Sequence, residues 1–359
     1  MIHRYSAAAL AALMFGANIM PAYAEAVRPT YQTSIDFGVL QQQVSHIAAR
    51  NAGNVGVAVR HLETGQSFYL NADVKFFMAS TYKIPMAVRL LQMVDEGKLS
   101  LDDLITVRKD EYVKWSVIEE RFGRGPVAIS LSNLLELMMV LSDNTATDVL
   151  LRVVGGAEAV TAMLQSMDVQ DMVVARGTKD LILDFANYAP LTKLVREDGL
   201  SFAAAWDQMT PEHLQAMDDK LKLAEADPSL AAYLTNDTRD KATPAAMVKF
   251  LEKVWSDNVL SDTSTQLLQE IMARCETGDA RIKGKLPQGT LVMHKTGTLD
   301  SSFGVTNNAG VIQLPEGKGN LAIVVYTTNA DQSIEFNEEI IADIAQAAYN
   351  YFVYTIVNQ

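Results

Sequence analysis

The sequence predicts a mixed α/β fold of the α+β type: an antiparallel sheet drawn from both chain ends, flanked by helices, with an all-helical subdomain inserted between. Three observations lead there. Near the N-terminus, Val55–Arg60 and Gln66–Leu70 are strand-like runs around Glu63-Thr64-Gly65, a hairpin signal. Near the other end, Thr290–His294, Ala309–Leu314 and Leu321–Thr327 are strand-like, with Pro315–Asn320 as a turn. Between them, from Ser80 to about Arg281, the apolar residues recur with mostly helical period. Short hairpins at opposite chain ends bury their apolar faces by sharing one sheet. After Asn329 the period turns helical to about Val353, with Ile334, Ile340, Ile341, Ile344 and Ala348 on the apolar face. The expected division is a sheet part at about 25–75 and 285–359 and a helical part at about 76–284, together one domain over 25–359. No internal repeat, low-complexity tract or linker interrupts it.

Composition narrows the function. The 359 residues are 49% hydrophobic and 20% charged, enough apolar material for a full core. A formal charge of −13 is a poor match to phosphate backbones or anionic lipid, so a nucleic-acid partner is not expected. A single cysteine, Cys275, excludes an intrachain disulfide framework and multi-cysteine metal sites. The histidines His3, His46, His61, His213 and His294 show no ligand-like spacing, and no metal or other cofactor is expected. Residues 1–24 open on Met-Ile-His-Arg, continue through a small and apolar run to Met20, and end Ala22-Tyr23-Ala24. This pattern predicts a signal peptide cleaved after Ala24, a periplasmic or secreted mature chain and no membrane anchor after cleavage.

Three short motifs carry the chemistry. Ser80-Thr81-Tyr82-Lys83 opens an apolar helical run through Leu91. Three residues apart at a helix start, the serine and lysine share one face, beside backbone N–H groups and the positive end of the helix dipole. A serine hydroxyl needs a partner to take its proton, and a lysine one turn away does so once burial and nearby positive charge lower its pKa. The alternative is a capping serine and a solvated first-turn lysine. Ser142-Asp143-Asn144 ends the apolar stretch Leu134–Leu141, where Ser142 is again either chemical or a cap. A second copy, Ser256-Asp257-Asn258, follows Trp255 in a surface-like turn and is set aside. His294-Lys295-Thr296-Gly297-Thr298 ends the third strand-like run, presenting a cation, a hydroxyl and a glycine that permits close backbone approach. Such an edge suits a substrate carboxylate; the alternative is an exposed strand end turning at glycine.

In this order the motifs resemble the active-site serine β-lactamases and penicillin-binding proteins, class A β-lactamases most closely. Phe77-Met-Ala-Ser-Thr-Tyr-Lys-Ile-Pro85, Leu141-Ser-Asp-Asn-Thr-Ala146, Asn236-Asp-Thr-Arg-Asp240 and Pro244-Ala-Ala-Met247 extend the likeness over most of the mature chain. The resemblance implies that Ser80 is the acylated nucleophile and Lys83 helps take its proton. It makes Ser142 the proton carrier to the leaving nitrogen, with Lys295 and Thr296 holding the substrate carboxylate beside Gly297, and Asn144 holding its amide side chain. The backbone N–H groups of Ser80 and Thr298 would form the oxyanion hole. Trp115 either lines the mouth or packs in the core.

The deacylating loop departs from the family. Class A enzymes place there a glutamate that activates water. Aligning forward puts Arg176 on the loop's opening arginine and Thr178, which cannot be a base, on the glutamate. Aligning backward from Asp240 makes Asp227-Pro228-Ser229-Leu230 resemble the family's Glu-Pro-x-Leu, which makes Asp227 the preferred base. Glu225, Asp180 and Asp184 are rivals, and Ala231 stands where the family has an asparagine. Both anchors hold if about 177–226 is an insertion, expected to be helical from Thr210-Pro211-Glu212, with Leu214, Met217, Leu221 and Leu223 as its apolar face. The substrate implied is a small molecule, a β-lactam or a D-alanyl-D-alanine-like peptide. The leading expectation is an exported serine β-lactamase. A peptidase or esterase acylated by β-lactams and slow to release them is the alternative, and a non-catalytic acylation sensor is a third.

Overall fold

The computed structural model describes residues 37–186, 188–216, 219, 237–299, 304–328 and 332–356. In chain order the strands are β1 (Asn54–His61), β2 (Ser67–Leu70), β3 (Phe76–Phe77), β4 (Leu104–Val107), β5 (Val127–Ser130), β6 (Lys241–Ala242), β7 (Val292–Leu299), β8 (Val305–Gln313) and β9 (Asn320–Thr328). Five of them form one antiparallel sheet in the order β2-β1-β9-β8-β7. β9 lies beside β1, with Val57 opposite Val325 and Ala58 opposite Val324, so the two chain ends do share a sheet.

Alternation along these strands sorts the side chains onto two faces. Val55, Val57 and Val59 join Ile323 and Val325 in a core against two helices, Gly38–Ala48 and the terminal Ile334–Thr355. Leu40 and Val44 come from the first helix; Ile340, Ile341, Ile344 and Ala348 come from the second. On the other face Ala58, Val324 and Tyr326 meet the helical middle, with Met247, Phe250 and Leu251 of helix Pro244–Ser256 among the partners. A sheet buried on both sides explains why its central strands read as nearly unbroken apolar runs.

Two expectations shift. The Lys-Thr-Gly motif lies inside a strand, because β8 continues to supply ladder partners as far as Leu299 opposite Val305. Its polar residues break the apolar run that marks a strand, but not the pairing. The helical middle also carries two small two-stranded sheets, β3 with β6 and β4 with β5, too short for periodicity to betray.

The stretch expected to be inserted is helical over most of its described residues: Thr178–Ala186, Ala189–Arg196, Phe202–Trp206 and residues 211–216. Its small core is Leu183, Leu191, Phe202 and Ala205, closed against Val113 of the main body. Leu214, expected on the apolar face, is 38% exposed; among the described residues the core of this stretch comes from earlier helices. Met217, Leu221 and Leu223 lie outside the described residues.

The two ends of this stretch meet at one ion cluster. Arg176 Nε donates to Asp240 Oδ2 at 2.6 Å across 64 positions, and Asp240 Oδ1 accepts from the backbone of Ala175 and Arg176. Arg176 also reaches Asp184 at 2.8 Å and Asp237 at 3.4 Å, and both Arg176 and Asp240 are buried. A buried carboxylate whose guanidinium is removed keeps its desolvation cost and loses its compensation. Arg176→Leu is therefore expected to lower stability by about 3–5 kcal/mol, read as a shifted urea midpoint. Arg176→Leu with Asp240→Leu should recover part of that loss, and an unshifted midpoint in the single variant would refute the buried-pair account.

Candidate active site

Ser80 sits in a single 3₁₀ turn, Ala79–Tyr82, that runs directly into helix Lys83–Asp95. The residue before it, Ala79, has φ +45°, a left-handed conformation that costs energy for any residue with a β-carbon. Neighbouring strands hold that turn in place. A β-carbon on Gly297 would lie 2.4 Å from Met78 O and 3.1 Å from Ser80 N, so only glycine lets β7 lie flat against the serine. From β8, Asn307 Nδ2 donates to Phe77 O at 2.6 Å, while Thr327 N of β9 donates to its Oδ1 at 3.1 Å. Ser80 itself is half-buried. The capping alternative fails: helix Lys83–Asp95 begins at Tyr82 with no side-chain cap.

Lys83, three residues on, is fully buried. Its Nζ donates to Ser142 O at 2.8 Å, Ser142 Oγ at 3.1 Å and Asn144 Oδ1 at 3.2 Å. Burial drives this ammonium well below the usual lysine range and the charge of Lys295 pushes the same way, against Asp143 and Asp148. Ser142 adopts φ +60°, which turns the chain between helices Leu131–Val140 and Asn144–Val153. Asp143, not Ser142, is the cap: its carboxylate accepts from Ala146 N at 2.8 Å and from Ser116 Oγ at 2.9 Å. Ser142 is thereby left for Lys83. The second Ser-Asp-Asn copy is exposed at the end of helix Pro244–Ser256.

Lys295 on β7 is also fully buried, and its ammonium is pulled down to about 8, chiefly by burial. Its Nζ donates to Thr296 O at 3.1 Å, and Thr296 Oγ1 lies 2.6 Å from Thr277 Oγ1. Beneath the strand runs a guanidinium that sequence reasoning missed. Arg281 donates to Gly297 O at 3.1 Å, Asn307 O at 2.8 Å and Thr298 Oγ1 at 2.7 Å, and pairs with Glu338 at 3.0 Å. No local pattern marks Arg281, because all these partners come from other segments. Thr298, next along the strand, is exposed.

Ser80, Lys83, Ser142, Asn144 and the Lys295–Thr298 strand thus meet where the 3₁₀ turn, the Ser142 bend and β7 converge. Thr178, on the glutamate's forward-aligned position, opens helix Thr178–Ala186, with Oγ1 2.9 Å from Tyr82 OH. Asp148, a second residue not anticipated, closes that helix by accepting from Thr178 N at 2.6 Å and Lys179 N at 2.9 Å. Burial raises its carboxyl despite these amides and the nearby Lys179 and Lys83 charges. Of the rival bases, Asp184 is engaged by Arg176, Arg196 and Arg239. Burial pulls its carboxyl up, but Arg176 and Arg196 together hold it below the usual range, which makes a weak base. Asp180 is half-exposed beside Arg196. Asp227, Glu225 and Ala231 lie outside the described residues.

The model of the β-lactamase enzyme family matches residues 39–352. The extended-spectrum β-lactamase PER-1 of Pseudomonas aeruginosa is 28% identical over 327 residues, covering 90% of each chain. β-Lactamase VEB-1, from the same organism, is 28% identical over 314 residues, 86% of this chain and 88% of its own. Among solved structures, a β-lactamase from Chitinophaga pinensis DSM 2588 superposes with a TM-score of 0.69 at 28% identity, covering 87% of this chain and 99% of that one. Because the family match runs through every motif that meets around Lys83, the chain belongs to the β-lactamase enzyme family and is a class A-like serine hydrolase.

Proposed function

We propose that the protein is exported after cleavage at Ala24 and hydrolyses β-lactam amides through an acyl-enzyme on Ser80. The observation that carries this reading is the placement of Lys83. Its buried Nζ, one turn from the serine, already contacts the hydroxyl of Ser142. A desolvated lysine beside a second cation favours its neutral form, the form that accepts a proton. Ser80 Oγ attacks the lactam carbonyl carbon as Lys83 takes its proton. The oxyanion is held by the backbone N–H groups of Ser80 and Thr298. The carbon–nitrogen bond then breaks, and the proton passes from Lys83 through Ser142 Oγ to the leaving nitrogen. Lys295 and Thr296 hold the substrate carboxylate; Asn144 holds its amide side chain. Water then attacks the ester carbon as Asp227 takes its proton, the bond from that carbon to Ser80 Oγ breaks, and the proton passes from Asp227 to Ser80 Oγ. The closed Arg176–Asp240 bridge supports Asp227, because the alignment that selects it also pairs those two residues.

Intact-mass spectrometry of the exported fraction tests the first half. The chain should begin at Glu25 and gain one penicilloyl group, and Ser80→Ala should lose the adduct while keeping its fold. An adduct on Ser142 or Ser256 would overturn the assignment.

The base is tested by Asp227→Asn. Losing a placed base costs about 10²–10⁴ in rate, so this variant should keep a burst near one per site and then stall. Turnover in Asp227→Asn together with a stall in Glu225→Gln would move the role to Glu225. A wild-type protein that never turns over would favour a peptidase or esterase instead.

The pH profile follows from Lys295. Its ammonium is charged below about 8 and neutral above it, so the carboxylate loses its partner as pH rises. The expected result is a kcat/KM for penicillins that falls on the alkaline side of about 8, carried by a rising KM. A flat KM to pH 10 would refute the carboxylate role.

A further inference from the structure

Away from Ser80, helices Lys83–Asp95 and Ala157–Ser166 pack together and leave a cleft of about 550 Å³ between them. That volume lies within the range of small-molecule sites, roughly 300–1,000 Å³. Arg89, Gln92 and Glu96 line the cleft from the first helix, spaced three and four residues apart and so on one face. Ala159, Ala162 and Met163 line it from the second helix. The two alanines leave room where longer side chains would fill the space, and Met163, only 6% exposed, adds an apolar surface.

Arg89 is part-buried, and its Nε is shut away from solvent with no hydrogen-bond partner. Among the described residues its guanidinium forms no hydrogen bond and no ion pair. The two acids that line the same cleft are engaged elsewhere. Asp95 accepts from Ser261 N and Ser261 Oγ, each at 2.7 Å, and from Ser264 Oγ at 2.6 Å. Glu96 pairs with Lys98 at 2.6 Å, which holds its carboxyl below the usual range, with the charge of Arg89 a lesser influence.

A guanidinium carries five donors in a planar fork, and a part-buried one without an acceptor is costly to keep. The group that matches the fork is a carboxylate, which takes two of its donors side by side. Gln92, one turn along the helix, adds an amide on the same face. The wall of alanines and Met163 suits a hydrocarbon body and offers no charge of its own.

We propose that this cleft is a second ligand site, built for a small organic carboxylate: Arg89 clamps the carboxylate, and the apolar body of the ligand lies along Ala159, Ala162 and Met163. The site is separate from the chemistry at Ser80. Arg89 stands six residues beyond Lys83 on one helix, about 9 Å along its axis, and the cleft shares no residue with the catalytic set. It stands whether or not the protein hydrolyses β-lactams.

Hexanoate, titrated into the purified protein and followed by the methyl NMR resonance of Met163, tests the site; Met163→Leu assigns the resonance. The expected result is a saturable shift whose affinity falls about tenfold or more in Arg89→Gln and less in Arg89→Lys, which keeps the charge and loses the fork. Hexanol, with the same body and no charge, should bind about tenfold more weakly than hexanoate, a comparison that needs no variant. Lys295→Ala should leave the shift in place. Equal affinities for hexanol and hexanoate, or an affinity unchanged in Arg89→Gln, would overturn the clamp. A shift that disappears in Lys295→Ala while surviving Arg89→Gln would move the ligand to the catalytic strand and overturn the second site, as would the absence of any saturable shift.

Discussion

A buried ammonium is costly unless acceptors surround it, and the burial of Lys83 sets the terms for everything near it. Its acceptors come from the bend between helices Leu131–Val140 and Asn144–Val153, so that bend must sit one hydrogen bond from the Ser80 turn. Asp143 then has to cap the second helix in place of Ser142, and Ser142 accepts a left-handed backbone to do its part. A second buried lysine, Lys295, faces the same space. Burial, joined by the charge of Lys295, lowers the Lys83 ammonium against the pull of Asp143 and Asp148.

The sheet serves this arrangement by holding a strained turn against a flat strand. Asn307 ties the chain before Ser80 to β8, and Gly297 removes the β-carbon that would push β7 away. Arg281 donates to the carbonyls of Gly297 on β7 and Asn307 on β8, tying the two strands together. The apolar cores on the two faces of the sheet make that platform stiff. The rigidity needed at the site is therefore spread over segments far apart in the chain.

The stretch between Arg176 and Asp240 shows how a long excursion is tolerated. Closing a larger loop adds entropy only slowly with length, and its ends here are locked by Arg176 and Asp240. Inside, short helices bury Leu183, Leu191 and Phe202 against Val113. Asp148 satisfies the first amides of the leading helix, and Asp207 reaches Lys114. The excursion is thus attached at its base, at its first helix and through Asp207.

The sheet hairpins, the terminal helix and the three motifs are legible in the chain because each is written in adjacent residues. A period of two, a period near 3.6, or a serine and lysine one turn apart needs no knowledge of the rest of the chain. The Arg176–Asp240 closure was legible by resemblance, since both ends carry recognisable neighbours. Tertiary structure alone decided the others. The extension of β7 to Leu299 came from its partner strand, and the burial of Lys83 and Lys295 from the elements packed over them. Arg281 gained its role from carbonyls on two strands, Asp148 from a helix thirty residues on, and Arg89 from a helix packed across its own. Local patterns carry propensity and contiguous chemistry; the environment that makes a charge reactive or leaves one unpaired is set by chain segments that meet only after folding.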